Sequence, residues 1–212
     1  MNPFADAFRV LLRPWWPIFI LWLLLLGSIG IAAFNLRRSP EQRAGRHIWM
    51  WITRVFIGAL WWLQSLWKLP PTYTDHPDGV SGGLHHWVGE MAKYAAFGPQ
   101  SAFIKEVVQP HFYFFAPQVY AVEVVIAVSL LLGLWARLGG TLGALMALNL
   151  WLGLYRAPYE WPWTYFFLFL LQGTFAVLRA GRSLGADAIL VRRTAAAGGR
   201  KTGLAQLLEC LT

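Results

Sequence analysis

PQVYAVEVVIAVSLLLGLWA, residues 117–136, decides how the rest of the chain is read. Its twenty residues are apolar almost throughout. Twenty residues of helix, rising about 1.5 Å each, cross a hydrocarbon core of about 30 Å. One carboxylate, Glu123, stands seven residues into the run. An acid in the hydrocarbon region costs about 2.5–3.5 kcal/mol on insertion scales, so it marks either a site or a buried pair.

Four further apolar runs flank this one: Pro14–Phe34, Ile48–Leu69, Leu138–Tyr155 and Trp161–Leu178. The fold class they predict is an all-α integral membrane protein with five spans. Composition agrees, since 57% of residues are hydrophobic, 13 are Trp and 13% are charged, against about 25% charged in soluble chains. The net charge of +8 sits beside the apolar runs and not in a basic domain of its own, which makes the bilayer the expected partner and excludes nucleic acid. The single cysteine, Cys210, excludes an intramolecular disulfide, a CxxC pair and a thiolate metal cluster within this chain. The first run also reads as a secretory leader with Arg9 and Arg13 before it; the expectation adopted is an uncleaved helix.

Counting Lys and Arg orients the chain. With the N-terminus outside, eleven fall on one side (Arg37, Arg38, Arg43, Arg46, Arg137, Arg179, Arg182, Arg192, Arg193, Arg200 and Lys201). Six fall on the other (Arg9, Arg13, Lys68, Lys93, Lys105 and Arg156), and Arg54 lies within the second run. The positive-inside rule then predicts a cytoplasmic C-terminus. Three regions follow: an N-terminal span and basic linker over 1–47, a four-helix membrane domain over 48–190 with an outer loop at 70–116, and a flexible cytoplasmic tail over 191–212. Within the loop, PPTYTDHPDGVSGG is turn-rich. Leu84–Tyr94 and residues 101–109 carry the spacing of two short interfacial helices, with Trp87 and HFYFF at headgroup level.

The polar residues inside the runs form two groups. Arg54, Gly58, Trp61, Ser65 and Lys68 follow the 4-3-4-3 spacing of one helical stripe, bordered by Gln64. In an antiparallel neighbour Glu123 lies about 10 Å below the outer face, level with Gln64 and within reach of Lys68. Arg137, fourteen residues later, is expected on the same stripe near the inner face. The fourth run carries Gly139, Gly143 and Ala147 at a spacing that allows close helix approach, then Asn149; the fifth carries Gln172. An outer pocket of Gln64, Lys68, Glu123 and Asn149 is expected, with a cytoplasmic cluster of Arg54, Arg137, Arg182 and Asp187. Lys68 and Glu123 read equally as an ion pair that sets helix register, and Asn149 and Gln172 as interhelical hydrogen bonders. His85 and His86 are adjacent, so they point to different faces of a helix, and no third ligand is spaced to join them; no metal site is expected.

Three segments resemble the DoxX/DoxD family of small four-helix membrane proteins. RVFIGALWWLQSLWKL, Arg54–Leu69, is similar to the family's opening helix, with its Arg, following Gly and terminal Lys. EVVIAVSLLLGLWARLGG, Glu123–Gly140, is similar to its Glu-bearing helix with an LLLG-x-x-x-R ending. WTYFFLFLLQGTFAVLRAGRSLGAD, Trp163–Asp187, is similar to its closing helix and Arg-to-Asp terminus. The likeness covers roughly residues 48–190, and the Pro14–Phe34 helix is an addition to the four-helix pattern, available for docking.

The resemblance implies a location in a bacterial or archaeal plasma membrane and a role in quinone-linked electron transport. DoxD resembles the membrane subunit of thiosulfate:quinone oxidoreductase, which works with a partner, DoxA, of which this chain has no recognisable counterpart. An enzyme of that kind would need other membrane-protein subunits and would carry no covalent cofactor. For quinone, Trp61, Trp62 and Asn149 are the candidate contacts, and Gln64, Lys68 and Glu123 the candidate hydrogen-bonding and proton-carrying groups. The competing reading is a non-catalytic accessory subunit of a larger respiratory or photosynthetic complex; a transporter lacks the expected inverted repeat.

Overall fold

All five apolar runs are helical in the computed structural model, which describes residues 2–74, 82–196 and 211–212. The chain is all-helical, with no strand among the described residues. Its helices are α1 (Pro3–Leu11), α2 (Trp16–Arg38), α3 (Gly45–Ser65), α4 (Gly83–Tyr94), α5 (Gly98–Phe103), α6 (Phe112–Leu132), α7 (Ala136–Gly153), α8 (Trp163–Val177) and α9 (Ala186–Ala196). Two of them, α2 with 23 residues and α6 with 21, are long and apolar enough to cross a membrane; α8 is apolar but shorter, at 15 residues. Part of the turn-rich loop start, residues 75–81, and most of the tail, with Cys210, lie outside the described residues.

Local chemistry sets the helix ends. Proline in the first turn of α2 starts that helix where its missing N–H is no loss, and Arg37 and Arg38 sit at the negative end of its dipole. Helix α6 stops at Leu132, four residues before the run suggested, because Gly133 adopts φ 65° and Trp135 φ 50°. Arg137 therefore belongs to α7 and not to the helix that carries Glu123. The tail expected to be flexible is helical through Ala196, as α9.

Helices α3, α6, α7 and α8 form a row in which each lies along the next, and α2 lies against α6. Glycines set the close approaches. A Cβ on Gly58 of α3 would stand 2.9 Å from the Leu131 nitrogen of α6. On Gly140 it would meet the Gln172 carbonyl oxygen of α8 at 2.9 Å, and on Gly143 the Gln172 side chain at 2.5 Å. Gly139 turns instead to α6, where a Cβ would strike Ser129 Oγ. Helix α2 buries only a narrow stripe (Pro17, Ile18, Leu21, Ser28, Ala32 and Asn35) and leaves Phe19, Trp22, Leu23, Leu26 and Ile29 exposed.

The segment between α3 and α6 closes one end of the row. Leu84, Val88, Met91 and Ala92 of α4, with Ile104, form a buried cluster with Phe112, Ala116, Leu154 and Ala157. Backbone bonds tie it down: Ala96 N–H donates to Leu152 O at 2.7 Å and Arg156 N–H to Tyr94 O at 3.0 Å. The two short helices expected here are present, as α4 and as α5 continued by a wide turn over Ile104–Val108, but their apolar side covers the bundle.

Candidate functional site

The polar stripe of α3 is the buried face of that helix. Arg54, Gly58, Trp61, Ser65 and Lys68 are all buried, with Lys68 placed by the short turn Leu66–Lys68 that extends α3. The Gly58 approach brings this face against α6, so Lys68 Nζ donates to Glu123 Oε1. The side chains of Lys68 and Glu123 are only 7% and 4% exposed, and the ammonium also lies 4.4 Å from the centre of the Trp67 ring. Three buried polar atoms of residues around this pair's cavity have no hydrogen-bond partner: Glu123 Oε2, Trp61 Nε1 and Gln100 Oε1.

Both groups line a cleft of about 880 Å³ under the α4–α5 cover. Ligand sites span about 300–1,000 Å³, so the volume suits an organic molecule larger than a simple ion. Its walls are mainly apolar, drawn from Ile57 and Leu60 of α3, Met146 and Leu150 of α7, and Leu168 and Leu171 of α8. Trp87, Val88 and Met91 form the cover. The polar groups are few: Gln64, Lys68, Glu123 and Asn149, together with Gln100, Glu160, Thr164 and Tyr165. Gln64 Oε1 accepts a bond from Trp67 Nε1 at 3.0 Å, and the Tyr165 hydroxyl donates to Glu160 Oε2 at 3.2 Å. An apolar slot with unpaired donor and acceptor atoms in its wall suits a molecule with an apolar body and a polar head.

Of the residues singled out from the sequence, Trp61, Gln64, Lys68, Glu123 and Asn149 meet in this cleft. Gln64 bonds Trp67 and makes no bond to Glu123. Trp62 is a correction: it does not line the cleft, and its Nε1 donates to Pro17 O of α2 at 3.0 Å. Adjacent helical residues are about 100° apart, so Trp61 and Trp62 cannot face the same space. Gln172 is fully buried against Gly143, with neither amide atom bonded. His85 and His86 stack edge-on with Phe112 and Trp87, and no group of three His, Cys, Asp or Glu side chains among the described residues is placed to hold a metal ion. Gln100, Glu160 and Tyr165 were not singled out; the i, i+3, i+6 spacing of Tyr165, Leu168 and Leu171 on one face was the signal for the last of them.

The opposite end of the row is built to hold a corner. Arg54, fully buried, donates through Nη1 to the carbonyl oxygens of Leu130 and Leu131, which the end of α6 leaves without helical partners. Asp187 accepts from the N–H groups of Trp135 (2.7 Å) and Ala136 (2.9 Å), where α7 begins. A cation thus closes α6 and an anion opens α7, and the two charges attract through the corner. Asn35 Nδ2 donates to Gly185 O at 3.0 Å, and Gln42 takes the Arg182 carbonyl and the Leu184 N–H, which ties α2 and the linker to the same knot. Arg182 adds its charge near Asp187, while Arg137 is half-buried at the start of α7.

Comparison with protein-family models, curated proteins and solved structures found no match for this chain.

Proposed function

We propose that this chain is a multi-pass membrane protein of DoxX-like architecture whose covered cleft binds a lipid-soluble quinone, as one subunit of a partner-dependent oxidoreductase. In this reading α2, α3, α6, α7 and α8 cross a bacterial or archaeal plasma membrane. The Lys and Arg distribution puts the α4–α5 end outside and the Arg54–Asp187 corner in the cytoplasm. The observation that carries the functional reading is the cleft wall: the Lys68–Glu123 pair inside an apolar slot, with Glu123 Oε2 and Trp61 Nε1 of the same wall unpaired.

A quinone ring fills the slot and its carbonyl oxygens accept from Trp61 Nε1 and the Lys68 ammonium, while Glu123 Oε2 gains a donor only once the reduced quinol carries a hydroxyl. Reduction to quinol takes two electrons and two protons. A partner oxidoreductase provides the electrons; Glu123, protonated from the outer aqueous side, passes one proton to the quinone oxygen beside it, and the other oxygen takes its proton from water. The broad apolar face of α2 favours a second role beside this one, docking onto other membrane subunits.

Purification from the native membrane tests the proposal. Extractable quinone, a co-purifying partner and thiosulfate-dependent quinone reduction are the expected results. A stoichiometric partner with no quinone and no reductase activity would leave only the accessory role.

A further inference from the structure

The row α3–α6–α7–α8 leaves its two end helices without close mutual contact along their length, so the cleft has one side with no helix across it. Two large apolar side chains stand at that side. Leu60 of α3 is 43% exposed and Phe167 of α8 is 58% exposed, and both also line the cleft. A residue that faces both the cavity and the surface marks an opening. The α4–α5 cover buries its cluster against the end of the row, and Phe103 of α5, 53% exposed and also lining the cleft, shows that the opening on the flank runs up to the edge of that cover. Leu60 lies more than a turn before the end of α3, and Phe167 more than a turn after the start of α8. The lips therefore sit within the helical walls, with exposed Phe56 and Leu170 away from the cover and exposed Gln64 and Thr164 on the side toward it.

Resting on the quinone reading above, we infer that the cleft receives its ligand sideways, through the seam between Leu60 and Phe167, and that the ligand's hydrocarbon tail stays in that seam. The head then reaches Trp61, Lys68 and Glu123, while the tail lies between α3 and α8 and continues into lipid. A flank opening lined by Leu and Phe offers nothing to a water-soluble ion, whereas it removes a hydrocarbon chain from no solvent it prefers. The substrate class is accordingly a tailed, membrane-dissolved quinone, selected by its chain as well as by its head.

Leu60→Trp and Phe167→Trp, each in purified full-length protein, test this by filling the mouth without touching Lys68, Glu123 or Trp61. Both positions are exposed, so the variants should fold; Ile29→Trp on the exposed face of α2 is the control. Binding is followed by tryptophan quenching with decylubiquinone and with its tailless dimethoxymethyl-benzoquinone parent. The expected result is about tenfold weaker binding of decylubiquinone in the mouth variants, the effect of holding about two methylene groups of the tail out of an apolar slot. The tailless quinone and the control should be unchanged. Equal effects on both quinones, or none on either, would overturn the side-on route while leaving the quinone site standing. Failure of the wild-type protein to bind either quinone would overturn both.

Discussion

Replacing Glu123 by Gln removes one charge from a pair whose members are 4% and 7% exposed, and leaves the Lys68 ammonium buried alone. Two unit charges attract by about 4 kcal/mol at 4 Å with an effective dielectric near 20. Burying each ion costs several kcal/mol, so the intact pair is close to neutral for stability, while removing one partner costs about 3–5 kcal/mol. Glu123→Gln and Lys68→Met should each fall in that range. The double replacement Glu123→Leu with Lys68→Met removes both desolvation costs and should return to within about 1 kcal/mol of the wild type. Unfolding by SDS in mild detergent, followed by far-ultraviolet circular dichroism, measures all four proteins. A Glu123→Gln variant within about 0.5 kcal/mol of the wild type would refute the buried pair. A double variant as unstable as the two losses added together would refute the compensation. The double variant also separates the two readings of Glu123, because it should fold well and yet lose quinone binding and turnover.

Gly133→Ala should cost about 2–4 kcal/mol, since φ is 65° and the new Cβ would stand 2.7 Å from both Arg54 Cζ and Gly185 Cα; the same SDS titration reads it. Asp187→Ala removes the acceptor for two N–H groups at the start of α7 and the charge facing buried Arg54, so a loss of about 3 kcal/mol or more is expected, and a loss below about 1 kcal/mol would contradict the corner mechanism. Trp62→Phe should cost about 1 kcal/mol through the lost bond to Pro17 O, with quinone affinity unchanged, whereas Trp61→Phe should weaken quinone binding. His47 lies before the second apolar run, with Nδ1 2.9 Å from Ser183 Oγ; burial and then the charge of Arg46 push its pKa below the usual value. A lowered folded-state pKa means that its contribution is present above about pH 6.5 and is lost as pH falls through the lowered value. The stability slope over that acid range should therefore flatten in His47→Gln.

Much of the helical skeleton was legible because hydrophobicity and helical period are properties of neighbouring residues. The stripe of Arg54, Gly58, Trp61, Ser65 and Lys68 needed only its spacing, and so did the reach from Lys68 to Glu123. The end of α6 was not legible. Leu134, Trp135 and Ala136 continue the apolar run, and it takes Gly133 in the left-handed region, with Asp187 drawn in from 51 residues away, to break it there. The distinction between Trp61 and Trp62 sits between these cases. Helical period separates their faces, but only the presence of α2 beside one and a cleft beside the other says what each face meets.

By itself the sequence determined the helical class, the five apolar runs, of which two form helices long and apolar enough to cross a membrane, and the buried polar stripe with its acidic partner. These follow from patterns that repeat within a few residues. Tertiary structure decided the rest: the row that leaves α3 and α8 apart, the cover that α4 and α5 place over its end, and the cleft where Tyr165 and Gln100 join Glu123. A cavity is space that no single segment owns. Its existence depends on how closely Gly58, Gly140 and Gly143 let their helices approach and on where the last helix of the row comes to rest.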